Sequence, residues 1–382
     1  MAEPISDYKS IIFAGGGTGG HLLPGIAVAE QLSSRNAFSI IFVGSNRPVE
    51  QKIIESAGYQ HVRLPSSSTS DLKRAPFRFL WNNSRAFLQA RRLLRKEKPT
   101  IVIGLGGFAS VPVVLAASWL KIPILLLEQN IILGRANQFL FSRSSLVCTS
   151  FAETIFKNTN TTNSGNSRFV FTGNPVREKI LQTVSSKETP NKKLEIALIL
   201  VLGGSQGATA VNNAVVSMLR QSTKLLPHKL HLVHQTGISD FAIVENAYQQ
   251  LKAIYPGLQV TVQPFFEDLA NWYPRADLII SRAGATTLAE LACVGCPSVL
   301  IPFPNSIGDH QLFNARFYEE NGAAVLVEQA QDSASTAKSL GDTVLALLED
   351  YDRLDQMRQS MLSISLPQAA QQVTNEVVKL TH

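Results

Sequence analysis

A glycine-rich stretch near the start of the chain, FAGGGTGGHLLPG at residues 13–25, is the first place where residue types and spacing indicate chemistry. Gly15, Gly17 and Gly20 have the GxGxxG spacing of loops in which glycine lets backbone N–H groups approach a phosphate closely. His21 follows the last glycine directly, and a neutral imidazole there can accept a proton near physiological pH. The stretch therefore predicts a diphosphate cradle with His21 as a general base beside it.

Two other interpretations of this loop stay open from the residues alone. A dinucleotide site would need an acidic residue at the end of the second strand, but that strand ends in FVGSNRP, which has no acid. Arg47 in this segment suits the 2′-phosphate of NADP, so an NADP-dependent oxidoreductase is one alternative. A tight turn that serves only the fold is the other.

A second glycine cluster, IVIGLGGFAS, places Gly104, Gly106 and Gly107 at the end of the fourth predicted strand. Ligands of parallel sheets bind beyond the carboxyl ends of the strands, so two such loops would lie at one edge of one sheet. Close packing between a strand and a helix explains the same glycines equally well.

A third cluster, LGGSQGAT, again precedes a helical pattern, and its members are Gly203, Gly204, Ser205 and Gly207. The cluster lacks the lysine of an NTP-hydrolysing P-loop. It therefore predicts a passive diphosphate cradle in which backbone N–H groups and the Ser205 hydroxyl are the donors.

The segment SRAGATTLAELACVGCP, residues 281–297, has a strand, a glycine turn and a helix that carries Glu290. A carboxylate near the start of a helix could accept hydrogen bonds from a ribose. Thr287 and Glu290 also have the spacing of a capping box, which would make Glu290 purely structural. A loop farther along, PFPNSIGDHQLFNA, supplies Asp309, His310, Gln311 and Asn314.

Residues 73–98 contain nine basic residues and one acidic residue, Glu97. Large apolar residues are interleaved with the basic ones at Phe77, Phe79, Leu80 and Trp81. Apolar side chains beside cations suit an anionic membrane surface, whereas residues 87–96 are expected to pack a leucine face inward. No pattern typical of a nucleic-acid-binding module is present, so we expect no nucleic-acid partner.

Short apolar runs alternate with amphipathic segments along the chain, which predicts parallel doubly wound α/β sheets. With 382 residues and two strand–glycine-turn–helix units, the chain is expected to form two Rossmann-like domains, at 1–176 and 177–355. A helix at about 356–382 could pack back on the first domain. No apolar run reaches membrane-spanning length, no signal peptide is recognised, and the three cysteines are expected to pack in the core of a cytosolic chain.

In order and spacing, the motifs GGTGGH, GLGGF, EQN, TGNPVR, GGSQGA, RAGATTLAE, PFP and DHQ resemble the glycosyltransferase B (GT-B) superfamily and, within it, glycosyltransferase family 28. The resemblance runs nearly end to end. It implies two Rossmann-like domains facing a central cleft and an inverting transfer without metal or cofactor. N-acetylglucosamine would pass from UDP-N-acetylglucosamine to the C4 hydroxyl of muramic acid on undecaprenyl diphosphate, converting lipid I to lipid II in peptidoglycan synthesis. A UDP-sugar epimerase of the same fold is the alternative.

The resemblance also assigns residues. Those implied to bind UDP-N-acetylglucosamine are Thr18, Gly19, Gly20, Asn130, Arg177, Ser205, Phe266, Ala285, Thr286, Thr287, Leu288, Ala289, Glu290 and Gln311. Those implied to hold the acceptor diphosphate are Gly15, Gly16, Gly17, Gly104, Gly106 and Gly107. His21 is the first candidate for the catalytic base, and Glu128 is the second.

Two residues depart from the pattern of the family. Leu127 stands where many relatives have histidine, and Phe108 stands where tyrosine is frequent. Both lie in the acceptor half. For the location, the resemblance implies a peripheral protein on the cytoplasmic side of the inner membrane, where the lipid-linked acceptor is reached through an anionic surface.

Overall fold

The computed structural model describes residues 9–35, 38–68, 71, 74–157, 168–184, 196–204, 207–221 and 229–381. The chain divides into two compact units. Unit 1 comprises Met1–Glu178 and Leu366–His382, and unit 2 comprises Lys179–Ser365. Ser205 and most of the polar tract at 157–168 lie outside the described residues.

Unit 1 is built on a seven-stranded sheet with the order β3-β2-β1-β4-β5-β6-β7, in which every recorded pair is parallel. Its strands are β1 (Lys9–Gly15), β2 (Phe38–Gly44), β3 (Gln60–Arg63), β4 (Ile101–Gly106), β5 (Ile124–Glu128), β6 (Leu146–Thr149) and β7 (Phe169–Phe171). The order changes direction beside β1, so β1 and β4 are neighbours. Such a switch point is where parallel sheets bind ligands.

Helices cover both faces of this sheet. They are α1 (Gly19–Ser33), α2 (Pro48–Ser56), α3 (Pro76–Glu97), α4 (Ser110–Trp119), α5 (Arg135–Leu140), α6 (Ala152–Lys157) and, from the other end of the chain, α14 (Ala369–Thr381). One face packs β1 and β4 side chains against α1 and α14 through Leu22, Val373 and Val377. The opposite face packs against α3 and α4.

Unit 2 contains a six-stranded parallel sheet with the order β10-β9-β8-β11-β12-β13. Its strands are β8 (Ala197–Leu202), β9 (Leu230–Gln235), β10 (Leu258–Gln263), β11 (Leu278–Ser281), β12 (Ser298–Leu300) and β13 (Ala324–Leu326). The helices of the remaining chain are α7 (Glu178–Val184), α8 (Thr209–Gln221), α9 (Phe241–Ile254), α10 (Ala285–Val294), α11 (His310–Glu320), α12 (Ser333–Glu349) and α13 (Tyr351–Ser363).

The predicted fold class is confirmed, because both units are α/β structures with parallel, doubly wound sheets. Continuous apolar runs such as ALILVL form strands that are buried along their whole length, as expected when helices cover both faces. The cysteines Cys148, Cys293 and Cys296 are buried, and no disulfide joins any two of them.

The C-terminal segment differs from the single helix expected at about 356–382. It forms two helices, α13 in unit 2 and α14 in unit 1. Pro367 lies between them and cannot continue a helix, which explains the break. Gly173 approaches Leu366 and Ala369 so closely that an added Cβ would lie 2.7 Å from a Leu366 methyl carbon.

Candidate active site

The first two glycine clusters meet at the carboxyl edge of the unit 1 sheet. Gly15 and Gly106 are paired across β1 and β4, just after a register irregularity. Gly107, with φ of +74°, packs so close to Gly16 that an added Cβ would lie 2.5 Å from the Gly16 carbonyl oxygen. Gly104 differs, because it lies inside β4 and packs against Leu126. The loop itself is formed by the glycines that follow Gly104.

A buried carboxylate that the motifs do not reveal supports the first loop. Glu50 is fully buried and accepts hydrogen bonds from the Gly17 N–H at 2.6 Å, the Ser45 N–H at 2.6 Å and the Ser45 hydroxyl at 2.5 Å. An added Cβ on Gly16 would lie 2.6 Å from the Glu50 carboxylate, so glycine is required there. Burial lowers the pKa of the neighbouring His61, so this imidazole is neutral at pH 7.

His21 lies against the second loop and is oriented by Gln129. The His21 Nδ1 is 3.0 Å from the Gln129 Oε1, and the Gln129 Nε2 donates to the carbonyls of Leu105 and Leu127. These two donations direct the amide oxygen toward His21, so Nδ1 must carry the proton. The unprotonated Nε2 is then the atom that can accept a proton. Gly106 leaves room for the ring, since an added Cβ would lie 3.2 Å from the His21 Nδ1.

Glu128, the second candidate base, has both carboxylate oxygens occupied. Its Oε1 accepts from the Asn130 N–H at 3.0 Å and the Asn130 side-chain amide at 3.2 Å. Its Oε2 accepts from the Gly134 N–H at 2.8 Å and the Asn137 amide at 2.9 Å. With four donors bound to its two oxygens, this carboxylate is suited to holding Asn130 in place. Leu127, at the position where histidine was expected, is buried in the core.

In unit 2, the glycine loop after β8 is tied to the segment that follows β10. Gln235 donates its side-chain amide to the Gly204 carbonyl at 3.1 Å and accepts from the Phe266 N–H at 3.0 Å. The Phe266 N–H is therefore already used, which leaves its carbonyl as the backbone group for a ligand. Gly207 has φ of +79° and lies directly against Thr236, which no larger residue would allow.

Glu290 is buried in α10, and the hydroxyl of Tyr273 donates to its carboxylate at 3.1 Å. The helix begins at Ala285, with Gly284 as its N-cap, so Thr287 and Glu290 do not form a capping box. The predicted donor-binding residues Ala285, Thr286, Thr287, Leu288 and Ala289 thus occupy the first turn and a half of the same helix. N–H groups in the first turn of a helix have no partner within the helix, which suits an anionic ligand.

Gln311 is the second residue of α11, and its Oε1 accepts a hydrogen bond from the Phe303 N–H at 2.9 Å. Arg282 shapes the same segment by donating to the carbonyls of Ile301 and Pro302 at 3.0 and 3.1 Å. Burial lowers the pKa of Arg282 to about 10, which still leaves the guanidinium charged at pH 7. Asn314 is buried and donates its side-chain amide to the Ala283 carbonyl.

Arg177 belongs to unit 1, where it lies near Glu30. Burial raises the pKa of the Glu30 carboxyl above its ordinary value, while hydrogen bonding to the Glu178 N–H and the charge of Arg177 act in the opposite direction. Arg177 is the second-last residue of the first segment of unit 1, which ends at Glu178.

The first half of α3 exposes large apolar side chains. Phe77, Leu80 and Trp81 are 85%, 58% and 66% exposed, and Phe79 is half-buried. The inward face expected at 87–96 is only partly made of leucine, because Ala90 and Leu94 are buried there while Leu88 is 50% exposed. Among the residues that the structure describes, no helix is both long and apolar enough to cross a membrane.

Comparisons with known proteins cover both units. The glycosyltransferase family 28 N-terminal domain matches residues 11–148, and the family 28 C-terminal domain matches residues 198–373. A Halothermothrix orenii protein named UDP-N-acetylglucosamine–N-acetylmuramyl-(pentapeptide) pyrophosphoryl-undecaprenol N-acetylglucosamine transferase is 36% identical, over 96% of this chain and 97% of its own. The Myxococcus xanthus protein of the same name is 35% identical, over 97% and 92%.

Among solved structures, the crystal structure of Acinetobacter baumannii MurG is similar, with a TM-score of 0.73 and 29% identity over 97% of this chain and 99% of that chain. Sequence and structure comparisons thus agree across the whole length. The chain belongs to glycosyltransferase family 28.

Proposed function

We propose that the protein transfers N-acetylglucosamine from UDP-N-acetylglucosamine to the C4 hydroxyl of the muramic acid of lipid I, forming lipid II. One observation carries this proposal. Relatives that are 35–36% identical over nearly the whole of both chains bear the name of this transferase. Both the half proposed for the acceptor and the half proposed for the donor therefore have counterparts in those proteins.

The arrangement around His21 supports a single displacement. His21 Nε2 would remove the proton of the acceptor hydroxyl while the hydroxyl oxygen bonds to the anomeric carbon. The bond from that carbon to the UDP oxygen breaks at the same time, and UDP leaves with the electron pair, so the configuration inverts. Gln129 keeps the imidazole in the tautomer that this step needs. Glu128 has its oxygens engaged and would position Asn130 instead of acting as the base.

The donor would be held mainly by unit 2. Glu290, supported by Tyr273, would accept hydrogen bonds from the ribose hydroxyls. The Phe266 carbonyl would accept from the N3–H of uracil. The groups proposed for the phosphates and the sugar are Ser205, Arg177, Gln311, Asn130 and the N-terminal residues of α1, namely Thr18, Gly19 and Gly20. Fixed donors of this kind stabilise the charge that develops on the departing diphosphate.

The acceptor would approach unit 1 from a membrane. Its diphosphate would lie over the loops Gly15–Gly17 and Gly106–Gly107, and its prenyl chain would stay in the lipid. The exposed apolar residues of α3, with the basic residues around them, support a peripheral position on the anionic cytoplasmic leaflet of the inner membrane. Trp119, which is 68% exposed and lies under the guanidinium of Arg91, would extend this surface.

The test is a transfer assay with the purified chain, labelled UDP-N-acetylglucosamine and lipid I in detergent. We expect lipid II and UDP in equal amounts, and no consumption of the donor when lipid I is left out. An epimerase would instead convert the UDP-sugar without an acceptor. Conversion of that kind, or thermal stabilisation by NADPH but not by UDP-N-acetylglucosamine, would contradict the proposal.

A further inference from the structure

Arg47 bridges the two glycine loops of unit 1. Its guanidinium donates a 2.9 Å hydrogen bond to the carbonyl of Gly17 in the first loop. The guanidinium carbon also lies 5.2 Å from the ring centre of Phe108, which directly follows the second loop. Gly17 is in contact range of both side chains, since an added Cβ would be 3.7 Å from each. A charged group is therefore held where the two loops meet.

The position of Arg47 is fixed from the interior. The carboxylate of Glu50 binds Ser45 on one side of Arg47 and the Gly17 N–H on the other loop. Pro48 starts α2 immediately after Arg47, whose backbone is extended at the N-cap. The flat guanidinium is further restricted by the face of Phe108, an arrangement that cation–π attraction favours. Arg47 is exposed to solvent, yet Glu50, Pro48 and Phe108 together restrict where its guanidinium lies.

The charge balance at the loops calls for such a cation. The Gly17 N–H, which a phosphate loop would ordinarily offer to its anion, is already used by Glu50. A buried carboxylate beneath the loop would also repel a diphosphate. Among the described residues, the Gly17 carbonyl is the one acceptor recorded for the guanidinium, which has five N–H donors in all. The remaining donors match the forked geometry with which arginine binds phosphate oxygens.

We propose that Arg47 is a phosphate-binding residue of unit 1 and that its ligand is the diphosphate of the prenyl-linked acceptor. This inference rests on the proposed function, because that function places a diphosphate over these loops. It assigns Arg47 a different anion from the 2′-phosphate of NADP. Phe108 then serves as the surface that supports the guanidinium, a role that an aromatic ring without a hydroxyl fulfils.

The test compares the variants R47Q and R47K with the wild-type protein. The matched control is R35Q, because Arg35 is also exposed and also donates to one partner, Asn375, but lies at the other end of α1. For R47Q we expect kcat/KM for lipid I to fall by about 30-fold, a change of about 2 kcal/mol, with KM for UDP-N-acetylglucosamine within about twofold of wild type. R47K keeps the positive charge but lacks the forked pair of donors. Its kcat/KM for lipid I should therefore lie between the values for R47Q and for the wild-type protein.

A binding measurement separates ligand contact from mere support of the loop. With UDP present at saturation, calorimetry gives the Kd of farnesyl diphosphate, a probe without sugar or peptide. We expect this Kd to rise by about tenfold or more in R47Q and to stay unchanged in R35Q. An unchanged Kd in R47Q would overturn the proposal, even if kcat fell. If the wild-type protein made no lipid II while R47Q still lost the probe, the proposed function would fail and Arg47 would remain a diphosphate ligand.

Discussion

Tyr273 donates a 3.1 Å hydrogen bond to the buried carboxylate of Glu290, and the two residues come from different elements of unit 2. This hydrogen bond helps to fix the orientation of the carboxylate. In Y273F we expect the Kd for UDP to rise by about fivefold, or about 1 kcal/mol, because one donor to the charged group is lost. The matched control is Y255F, which removes another hydroxyl of unit 2 that donates to the Leu219 carbonyl. Equal effects of the two variants on UDP binding would contradict the assigned role.

His21 is expected to matter for turnover and much less for donor binding. In H21A we expect kcat to fall by about 10²–10⁴-fold, because the general base is gone, with the Kd for UDP unchanged within about twofold. H231A is the control, since His231 is also half-buried and also contacts a side chain, Thr261. Kinetics at saturating lipid I together with UDP titration would check this. Near-normal turnover in H21A would exclude His21 as the base.

Gln129 should act through His21. In Q129L the imidazole loses the acceptor that fixes its tautomer, and we expect kcat to fall by about tenfold while both KM values stay near those of wild type. The pH profile of kcat should also move, since the amide no longer holds the Nδ1 proton. A change in KM alone would indicate that Gln129 supports binding and has no influence on the base.

The exposed apolar residues of α3 should attach the protein to anionic lipid. For F77S/W81S we expect co-sedimentation with phosphatidylglycerol vesicles to fall by about tenfold. The variant lacks two large apolar side chains that would transfer from water into the lipid on binding. I238S/I243S is the control, as Ile238 and Ile243 are 86% and 70% exposed but belong to unit 2. Co-sedimentation that changes neither with salt concentration nor with phosphatidylglycerol content would contradict the proposal that this surface binds anionic lipid.

His234 should make unit 2 sensitive to acid. Burial lowers its pKa to about 3, and its ring contacts the Tyr248 hydroxyl and the Asn212 amide oxygen. Below about pH 6.5 the unfolded chain therefore takes up a proton that the native state does not bind. The contribution of His234 to the free energy of unfolding is fully present above pH 6.5. It should decline toward pH 3 by about 1.4 kcal/mol per pH unit.

Glutamine can accept from Tyr248 and donate to Asn212 without titrating, so H234Q isolates this effect. Urea unfolding at pH 7.0, 6.0 and 5.0 should show a shallower loss of stability in H234Q than in the wild-type protein. Identical slopes would mean that His234 is protonated as readily in the native state as in the unfolded chain.

The fold was predictable because its signals are local. Each apolar run and each glycine turn specifies one strand or one strand–helix connection, and the alternation of these units is enough to predict two parallel sheets. The break at Pro367 is also local, but which unit each flanking helix joins depends on tertiary packing. Val373 and Val377 of α14 fit the unit 1 core, and no short-range pattern encodes that choice.

The site was only partly predictable for the same reason. The glycines and His21 are recognisable from spacing, whereas Glu50 and Gln129 gain their roles from partners 33 and 108 residues away along the chain. The Thr287–Glu290 spacing suggested a capping box, but Gly284 starts the helix and Tyr273 is the partner of Glu290. For Arg47 the sequence shows only that it follows the second strand, a position that equally suits the 2′-phosphate of NADP.

The return of α14 to unit 1 has a consequence for the order in which the two units fold during synthesis. Residues 179–365 form unit 2 without interruption, whereas unit 1 is assembled from the segments on either side of them. During translation unit 2 can therefore finish folding before unit 1, whose core stays open until α14 leaves the ribosome. A stop codon shortly after residue 365 would spare the proposed donor-binding half and leave the acceptor-binding half incomplete.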